Sequence, residues 1–469
     1  MTAAGRRSGT VLTVLAALVV AVAVPAGVHA VVRYPAVTVP LMIVTLFATL
    51  LLWRRETAVL LIIPIVLLGA GIGAGSSPAL AAVAMVAAVA GVQIAVRALP
   101  LRAAHLWIGL LAALLAVSYA APALPLAPLT DRRPDLVGLL AGLALLAACA
   151  AAPPRPDRLV RVIALAGAAG AAWTLVAGDH AGDRLQGLGL NPNYAGGVIA
   201  LALVAAVGLA RHTHRLVWLV PAAVCFAAVA ETRSRGAFLA AAGGVVLVLV
   251  QGRSARFRVL IAVAAAVVAI TLPGTLDTAE QIATSGRSSD ELSFNSTVRR
   301  NAAEFAADVA ASHPFRGIGY GMFPPYAANS PRLGVYIATH NDYLRLAAEA
   351  GMLALLAFLV LVWLGVKDPR SGDLAVLRAV ALAYCVGLLF ANPLANLIAS
   401  APFWLALGCL LAARPTGPAA VPAAAPPVPS SVPSAPSAAP AGGPPPRTGP
   451  PSRTSNGHIA PSQGGRTDD

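Results

Sequence analysis

Four short polar motifs lie between long apolar runs and are rich in side chains that bind anions and move protons. In chain order, the residues singled out from them are Arg184 with Asn191 and Asn193; Arg235; Arg299 and Arg300; and His340 with Asn341. Arginine holds a diphosphate through forked hydrogen bonds, and a neutral histidine can take a proton from a hydroxyl. These residue types together are suited to binding a diphosphate beside a group that can accept a proton from a hydroxyl.

Each motif also has a simpler interpretation. An arginine at a membrane interface is usually an anchor whose stem lies along apolar surface. Asn191 or Asn193 can cap a helix, and so can the His340-Asn341 pair. What favours a functional site is that all four motifs are predicted to lie on one side of a membrane, where few cations are expected.

Composition predicts the class of protein. The chain has 469 residues, 58% of them hydrophobic and 11% charged, with a mean hydropathy of +0.78. Soluble domains carry roughly 25% charged residues. The apolar runs are about 17–20 residues long, the length that crosses a bilayer as a helix. We therefore predict an all-α polytopic membrane protein with about 12–14 transmembrane helices.

The apolar segments and the charges between them predict the topology. They lie near 9–30, 35–53, 57–75, 78–96, 103–121, 135–152, 159–177, 192–210, 216–231, 236–251, 257–273, 346–366, 374–391 and 394–412. Arginines recur in alternate connections, which predicts cytoplasmic N- and C-termini by the positive-inside rule. Segment 9–30 also fits a signal peptide, but its apolar run favours a retained helix.

Three further regions are predicted along the chain. Residues 1–412 form the membrane domain, and residues 274–345 within it form one large extracytoplasmic loop. In that loop Val298–Ser312 is a short helix whose apolar face carries Ala302, Phe305, Ala306 and Val309. Residues 413–469 are rich in Pro, Ala and Ser, which predicts a disordered cytoplasmic tail.

Other classes of protein are disfavoured. The formal charge of +14 suits nucleic acid, but the arginines alternate with membrane segments and form no basic groove, so no nucleic-acid partner is expected. No phosphate-binding loop or zinc spacing is present in the sequence. The four cysteines lie inside apolar runs, which indicates packing residues and no disulfide framework.

The order of motifs resembles the O-antigen ligase and polymerase (Wzy-type) superfamily of bacterial membrane glycosyltransferases. The resemblance covers roughly residues 180–360, and its matching elements are Arg184 with Gly187-Leu188-Gly189-Leu190-Asn191-Pro192-Asn193, Ser234-Arg235-Gly236, Arg299 ahead of His313-Pro314 and Gly317-Ile318-Gly319, His340-Asn341, and Glu349-Ala350-Gly351. Family members often carry an aromatic residue where Ala303 stands, and Phe305 is a candidate for the same packing role.

The resemblance implies a GT-C-like architecture and a glycosyltransferase that needs no metal, nucleotide or other cofactor. Its donor is a glycan on a polyprenyl diphosphate, and its acceptor is a hydroxyl of a glycan, lipid, protein or cell wall. The implied location is the bacterial cytoplasmic (inner) membrane, with membrane lipids as further partners. By analogy the catalytic residues are His340 and Arg299, the diphosphate is bound by Arg184, Arg235 and Arg300, and Asn193 and Asn341 support them.

Two alternatives stay open from the sequence. A peptidoglycan glycosyltransferase of the shape–elongation–division (SEDS) type would use an outer-loop carboxylate, for which Asp277, Glu280, Asp290 and Glu291 are available. A polytopic transporter or flippase would bury charge at mid-membrane or show an internal repeat, and neither is evident.

Overall fold

The computed structural model describes residues 47–51, 53–71, 77–96, 99, 101–123, 131–251, 289–368 and 370–413. Within these ranges the named elements are α1 (Arg55–Gly71), α2 (Ser77–Ala95), α3 (Ala103–Ala120), α4 (Arg133–Ala151), α5 (Pro156–Ala177), β1 (Asp179–Ala181), β2 (Arg184–Gln186), α6 (Pro192–Thr213), a 3-10 turn (Leu216–Trp218), α7 (Leu219–Thr232), α8 (Arg235–Val250), α9 (Ser289–Ser312), α10 (Phe323–Ala328), α11 (Asp342–Ala350), α12 (Met352–Val366), α13 (Gly372–Gly387) and α14 (Leu397–Ala412). The strands pair antiparallel in one small hairpin. The described part of the chain is thus all-α apart from this hairpin, as predicted.

Helices α6 and α14 form the centre of the bundle. Helix α6 packs against α5, α7, α8 and α13, and α14 packs chiefly against α4 and α13. Both are apolar on every side, as a helix enclosed by other helices must be. Peripheral helices instead expose large apolar side chains, among them Leu356 and Trp363 of α12 and Phe226 of α7. Such a surface is suited to lipid.

Small residues allow the central helices to approach closely. A Cβ on Gly408 of α14 would lie 2.4 Å from the Cβ of Cys149 on α4. Contacts of this kind are favoured in membranes, because helices there associate through close packing. Cys149, Cys225 and Cys409 are buried and Cys385 is half-buried, as expected of packing residues.

Helices α3–α6 (Ala103–Ala120, Arg133–Ala151, Pro156–Ala177 and Pro192–Thr213) are long and apolar enough to cross a membrane. Five shorter apolar helices accompany them: α2, α7, α8, α12 and α14. The polytopic membrane class is therefore confirmed. The predicted segments 9–30 and 257–273, most of 35–53, and the tail after residue 413 lie outside the described residues.

The predicted helix 346–366 is wrong as a single element. It divides into α11 and α12 at Gly351, whose φ is +90°. A Cβ at this position would lie 2.4 Å from the carbonyl oxygen of Phe315, so only glycine fits. The predicted helices 374–391 and 394–412 are each shorter than expected, and residues 388–396 form an irregular connection between them.

The described part of the large loop builds a small core of its own. Ala302, Phe305, Ala306 and Val309 are all buried, which confirms the predicted apolar face of α9. They pack with Ile318, Met322 and Phe323 and with Ala347 and Ala348 of α11. Phe305 stacks on Tyr326 with ring centroids 6.0 Å apart, consistent with the packing role expected of it.

The connections fall at two ends of the bundle. One end, called here the site end, carries the β-hairpin, the large loop and residues 388–396. There Ala123 N–H, beyond the end of α3, bonds to Ile318 O of the loop at 2.8 Å, and Asp342 N–H of the loop bonds to Leu388 O at 2.9 Å. The opposite end, called here the basic end, carries arginines that form hydrogen bonds or ion pairs with residues at the ends of helices. They include Arg102, Arg158, Arg211 and Arg370. The chain therefore separates its four polar motifs from its arginine-rich connections.

Candidate functional site

Arg184 is fixed at the site end by neutral partners. It lies on β2, and its Nε donates to the carbonyl of Thr232 at 3.0 Å while an Nη donates to Oδ1 of Asn193 at 2.6 Å. Ser234 donates to the same Oδ1 at 3.1 Å. Asn193 therefore joins the hairpin, the start of α6 and the start of α8, and it orients a guanidinium without neutralising its charge.

The start of α8 is built by local capping. Ser234 is the N-cap and accepts a hydrogen bond from the N–H of Ala237 at 3.4 Å. Arg235 follows as the first helical residue and is exposed. A Cβ on Gly236 would lie 2.7 Å from Cβ of Phe390, so this glycine lets residues 388–396 approach α8. Arg233 forms an ion pair with Asp183 of the hairpin at 3.9 Å.

The two neighbouring arginines of α9 have different surroundings. Arg299 lies close enough to His340 to act electrostatically on the imidazole. Arg300 is directed along the helix, where its Nε lies 3.6 Å from Oε1 of Glu304 with both side chains exposed. The structure thus brings Arg299 together with His340 and places Arg300 in a surface ion pair.

His340 occupies a constrained position before α11. Its φ is +53°, a left-handed conformation that is unusual for a residue with a side chain. The ring is half-buried, and burial together with the positive charge of Arg299 lowers its pKa to about 4. The imidazole is therefore neutral at pH 7 and able to accept a proton.

Asn341 supports this segment as the N-cap of α11. Its Oδ1 accepts hydrogen bonds from the N–H groups of Tyr343 at 3.0 Å and Leu344 at 3.1 Å. Its backbone carbonyl accepts the hydroxyl of Thr339 at 3.0 Å. The cap fixes the chain on both sides of His340, because two donors of the first helical turn are satisfied there.

Residues 388–396 connect the two halves of the site, although the sequence predicts helix for all of them except residues 392–393. The Nδ2 of Asn392 donates to Thr339 Oγ1 at 2.9 Å and to Asp342 Oδ1 at 3.2 Å. The backbone carbonyl of Asn392 accepts a hydrogen bond from the hydroxyl of Tyr194 at 2.7 Å. Asp342 also accepts the N–H of Leu394 at 2.7 Å. Burial raises the pKa of Asp342 to about 7.

Glu349 holds the glycine-rich part of the loop in place. It is fully buried, and its carboxylate accepts the N–H groups of Gly321 at 3.0 Å and Phe323 at 2.9 Å as well as Nε of Arg345 at 3.0 Å. A Cβ on Gly317 would lie 2.3 Å from the backbone carbonyl carbon of Glu349, so a glycine at position 317 is needed for the loop to pack against the end of α11. The Glu349-Ala350-Gly351 motif is therefore a structural anchor for the loop.

Two arginines that were not among the predicted site residues, Arg132 and Arg345, also lie at the site end. Arg132 is buried and donates to the carbonyls of Tyr320 at 3.0 Å and Tyr119 at 3.1 Å. Arg345 is bonded to Glu349 and Asp135 and lies 5.2 Å over the ring of Tyr320. Arg132 bonds backbone carbonyls and Arg345 bonds carboxylates, so both arginines hold the loop in position.

The predicted residues thus form two groups that meet at residues 388–396. One group contains Arg184 and Asn193, with Arg235 beginning the adjacent helix, and the other contains Arg299, His340 and Asn341. The sequence pattern that could have indicated residues 388–396 is Asn392-Pro393 followed by Asn396. Polar residues spaced in this way within an apolar run repeat the Asn191-Pro192-Asn193 pattern that begins α6.

Fold and site together define a polytopic membrane protein with an arginine and histidine site at one end of its helices. Residues 220–359 match the family model described as O-Antigen ligase. The match confirms the resemblance to the O-antigen ligase and polymerase superfamily over this part of the chain. Arg235, Arg299 and His340 lie inside the matched range, whereas Arg184 and Asn193 precede it. A search of curated proteins gave no match.

Within the described ranges, no group of three or more His, Cys, Asp or Glu side chains is placed to hold a metal ion. Of the carboxylates considered for the SEDS-type alternative, Asp277 and Glu280 lie outside those ranges. For Asp290 and Glu291 the structure describes the helical backbone alone.

Proposed function

We propose that the protein transfers or polymerises glycan from a polyprenyl-diphosphate-linked donor onto an acceptor hydroxyl at the outer face of the cytoplasmic membrane. The family match supports glycan transfer of the O-antigen ligase or polymerase type. The observation that carries the proposal is the position of His340, which lies half-buried in a left-handed conformation before α11 and is neutral at pH 7 within the electrostatic influence of Arg299.

The proposed reaction is a direct displacement. The acceptor oxygen bonds to the anomeric carbon as the bond between that carbon and the diphosphate oxygen breaks. The acceptor proton passes to the imidazole of His340, and the electron pair of the broken bond leaves with the polyprenyl diphosphate. Attack opposite to the leaving group inverts the anomeric carbon.

The arginines serve the leaving group. Negative charge grows on the diphosphate as the glycosidic bond breaks, so fixed cations lower the barrier. Arg184 is suited to this role because its hydrogen bonds to Thr232 and Asn193 hold the guanidinium at the site end. Arg235 and Arg299 complete the proposed anion site. Arg300 contributes less than expected from the sequence, since it is paired with Glu304 at the surface.

The binding of the donor also affects the base. Burial and the positive charge of Arg299 hold the pKa of His340 at about 4. A bound diphosphate places negative charge beside Arg299 and so raises the pKa of His340. The imidazole then becomes a stronger base only when the donor is present, which couples proton removal to donor binding.

The orientation follows from the two ends of the bundle. Arg102, Arg158, Arg211 and Arg370 lie at the basic end, which faces the cytoplasm by the positive-inside rule. The site end then faces outward, with both chain termini cytoplasmic. A lipid-linked donor reaches such a site laterally through the membrane, without a nucleotide, and we propose that no metal takes part.

The direct test is transfer by purified protein in lipid nanodiscs from an undecaprenyl-diphosphate glycan, with EDTA and without nucleotide. We expect transfer by the native chain and its loss in Arg299→Ala and His340→Ala. His212→Ala, a histidine of the basic end, is the matched control and retains transfer. Full activity of both site variants would contradict the proposed site, and inactivity with EDTA that Mg²⁺ restores would contradict metal independence.

Ligase and polymerase use the same donor and differ in acceptor. The lipid-linked glycans of a deletion strain distinguish them. Accumulated single repeat units indicate a polymerase, and accumulated long chains indicate a ligase.

A further inference from the structure

A cavity of about 550 Å³ lies at the basic end, where the ends of α6 and α8 meet the start of α13. Arg211, Gln251, Arg370 and Ser371 are among the residues that line it. Its volume falls in the range of about 300–1,000 Å³ that is typical of small-molecule sites. Because it lies at the basic end, it is separate from the site that contains His340.

The three helix ends around the cavity are joined to one another. Arg211 of α6 donates to the backbone carbonyl of Gln251, and Nε2 of Gln251 donates to the carbonyl of Ala375 on α13 at 2.7 Å. About one turn deeper in the bundle, a Cβ on Gly208 would lie 2.4 Å from Cγ1 of Val376, so α6 and α13 touch there. Gly208 and Val376 both line the cavity, and this contact closes its inner side.

The lining of the cavity carries positive charge. Arg211 bonds an uncharged carbonyl and forms no ion pair with a carboxylate in the described part of the chain. Arg370 is paired with Asp368 at 3.6 Å and bonds the carbonyl of Ala413 at 3.3 Å. Among the described residues of the lining there is no carboxylate. This arrangement favours an anion and offers no partner to an ammonium group such as that of a choline headgroup.

The start of α13 adds backbone donors to the same cavity. Ser371 is the N-cap of this helix, and its side chain accepts no hydrogen bond from the first turn. The first N–H groups of a helix and its positive dipole favour an anion. They therefore act in the same direction as Arg211, which lines the cavity with Ser371.

The surroundings of the cavity favour a lipid as the source of the anion. Leu249, next to Val248 of the lining, is 44% exposed, and Leu216, which follows the end of α6, is 77% exposed. Exposed apolar side chains beside basic ones are typical of the boundary between hydrocarbon and headgroups, where the phosphates of lipids lie. A small soluble phosphate would make no contact with such apolar side chains.

We propose that this cavity binds the phosphate group of an anionic phospholipid, with Arg211 donating to the phosphate oxygens and the acyl chains lying against Leu216 and Leu249. A phosphodiester carries one negative charge, which matches the arginine of the described lining that has no carboxylate partner. The bound lipid bridges the ends of α6, α8 and α13. The inference does not depend on glycan transfer, because it requires only that the basic end lies at a membrane surface.

The test is native mass spectrometry of the full chain in detergent, titrated with phosphatidylglycerol or with phosphatidylcholine of the same acyl chains. We expect the native chain to bind phosphatidylglycerol about tenfold more tightly, and Arg211→Gln to lose this preference. Arg215→Gln is the matched control, since Arg215 also follows α6 but is exposed and does not line the cavity. It should stay within about threefold of native, the scale of a screened surface charge.

Ser371→Glu tests the cavity without removing an arginine. It places a negative charge in the lining from an exposed position, and a negative charge at the start of α13 favours the helix, so the fold is expected to persist. Affinity for phosphatidylglycerol should fall about tenfold or more, with the melting temperature of the lipid-free protein unchanged. The proposal is overturned if the native chain shows no preference, if both site variants keep it, or if Arg211→Gln and Arg215→Gln lose it equally.

Competition distinguishes a lipid from a soluble phosphate. Inorganic phosphate and glycerol 3-phosphate carry the same group without acyl chains, and we expect neither to displace phosphatidylglycerol at an equal concentration. Displacement by either assigns the cavity to a soluble phosphate and overturns the lipid. Arg299→Ala is expected to lose transfer but keep phosphatidylglycerol binding, so this inference and the proposed function fail independently.

Discussion

Asn193 accepts a hydrogen bond from Arg184 at 2.6 Å and holds the guanidinium with an uncharged oxygen. A carboxylate in its place would orient the arginine equally well and cancel its charge. Asn193 therefore orients Arg184 at the junction of β2, α6 and α8 without adding a negative charge beside it.

The first prediction concerns this neutral partner. Asn193→Asp keeps the acceptor for Arg184 and Ser234 but adds a negative charge, so we expect pyrophosphate affinity to fall by about tenfold or more. Isothermal titration of the protein in nanodiscs measures the change. Asn191→Asp is the control, because Asn191 caps α6 through its side chain and aspartate caps as well as asparagine. Equal losses in both variants would show that Arg184 takes no special part.

The second prediction separates the neighbouring arginines of α9. Arg299→Ala removes a cation beside His340, and we expect glycan transfer to fall by about 10²–10³-fold, as for other lost transition-state contacts. Arg300→Ala removes an exposed pair with Glu304, so transfer should stay within about threefold of native, the scale of a surface ion pair. Initial rates of transfer compare the two. A larger loss in Arg300→Ala would reverse the assignment.

The third prediction concerns the titration of His340. Its pKa of about 4 means that the native imidazole becomes protonated only when the pH falls to that region. Arg299→Ala removes one of the two causes, so the pKa should rise but stay below the usual value of about 6.5, because burial remains. NMR of histidine-labelled protein, with His340→Gln to assign the resonance, follows the shift. An unchanged pKa in Arg299→Ala would refute the coupling, and Arg300→Ala should leave it unchanged.

The sequence predicted well those features that depend on composition and helical periodicity. The apolar face of α9 follows from Ala302, Phe305, Ala306 and Val309, and each of them is buried. The start of α6 follows from Asn191, one of the two asparagines expected to cap it, and this cap is formed as local rules require.

Contacts between distant segments could not be predicted in this way. The role of Asn392 depends on Thr339, Asp342 and Tyr194, which lie between 50 and 198 residues away in the chain. The hydropathy of residues 374–412 is nearly continuous, so the sequence predicts a break only at residues 392–393 and helix for the rest of 388–396. The division at Gly351 was missed for a similar reason, since a single glycine is compatible with an apolar helix until the neighbouring loop is placed.

The fourth prediction concerns the anchor of the loop. Glu349→Ala leaves Arg345 with one carboxylate fewer and two buried N–H groups unpaired, so we expect a loss of about 3–5 kcal/mol in the free energy of unfolding. Glu304→Ala breaks only exposed pairs with Arg300 and Arg332 and should cost about 0–1 kcal/mol. Denaturation of both variants in the same detergent compares them. Similar stabilities would contradict the anchoring role.

The core formed by α9 and α11 limits how this protein can be recombined with its relatives. Ala347 and Ala348 belong to the core of the large loop, although they follow its predicted boundary at residue 345. Met352 N–H then bonds to the carbonyl of Pro314 at 2.7 Å, beyond the end of α11. The loop is therefore not an interchangeable module ending at 345. A chimaera that preserves this packing must place its downstream junction inside α12.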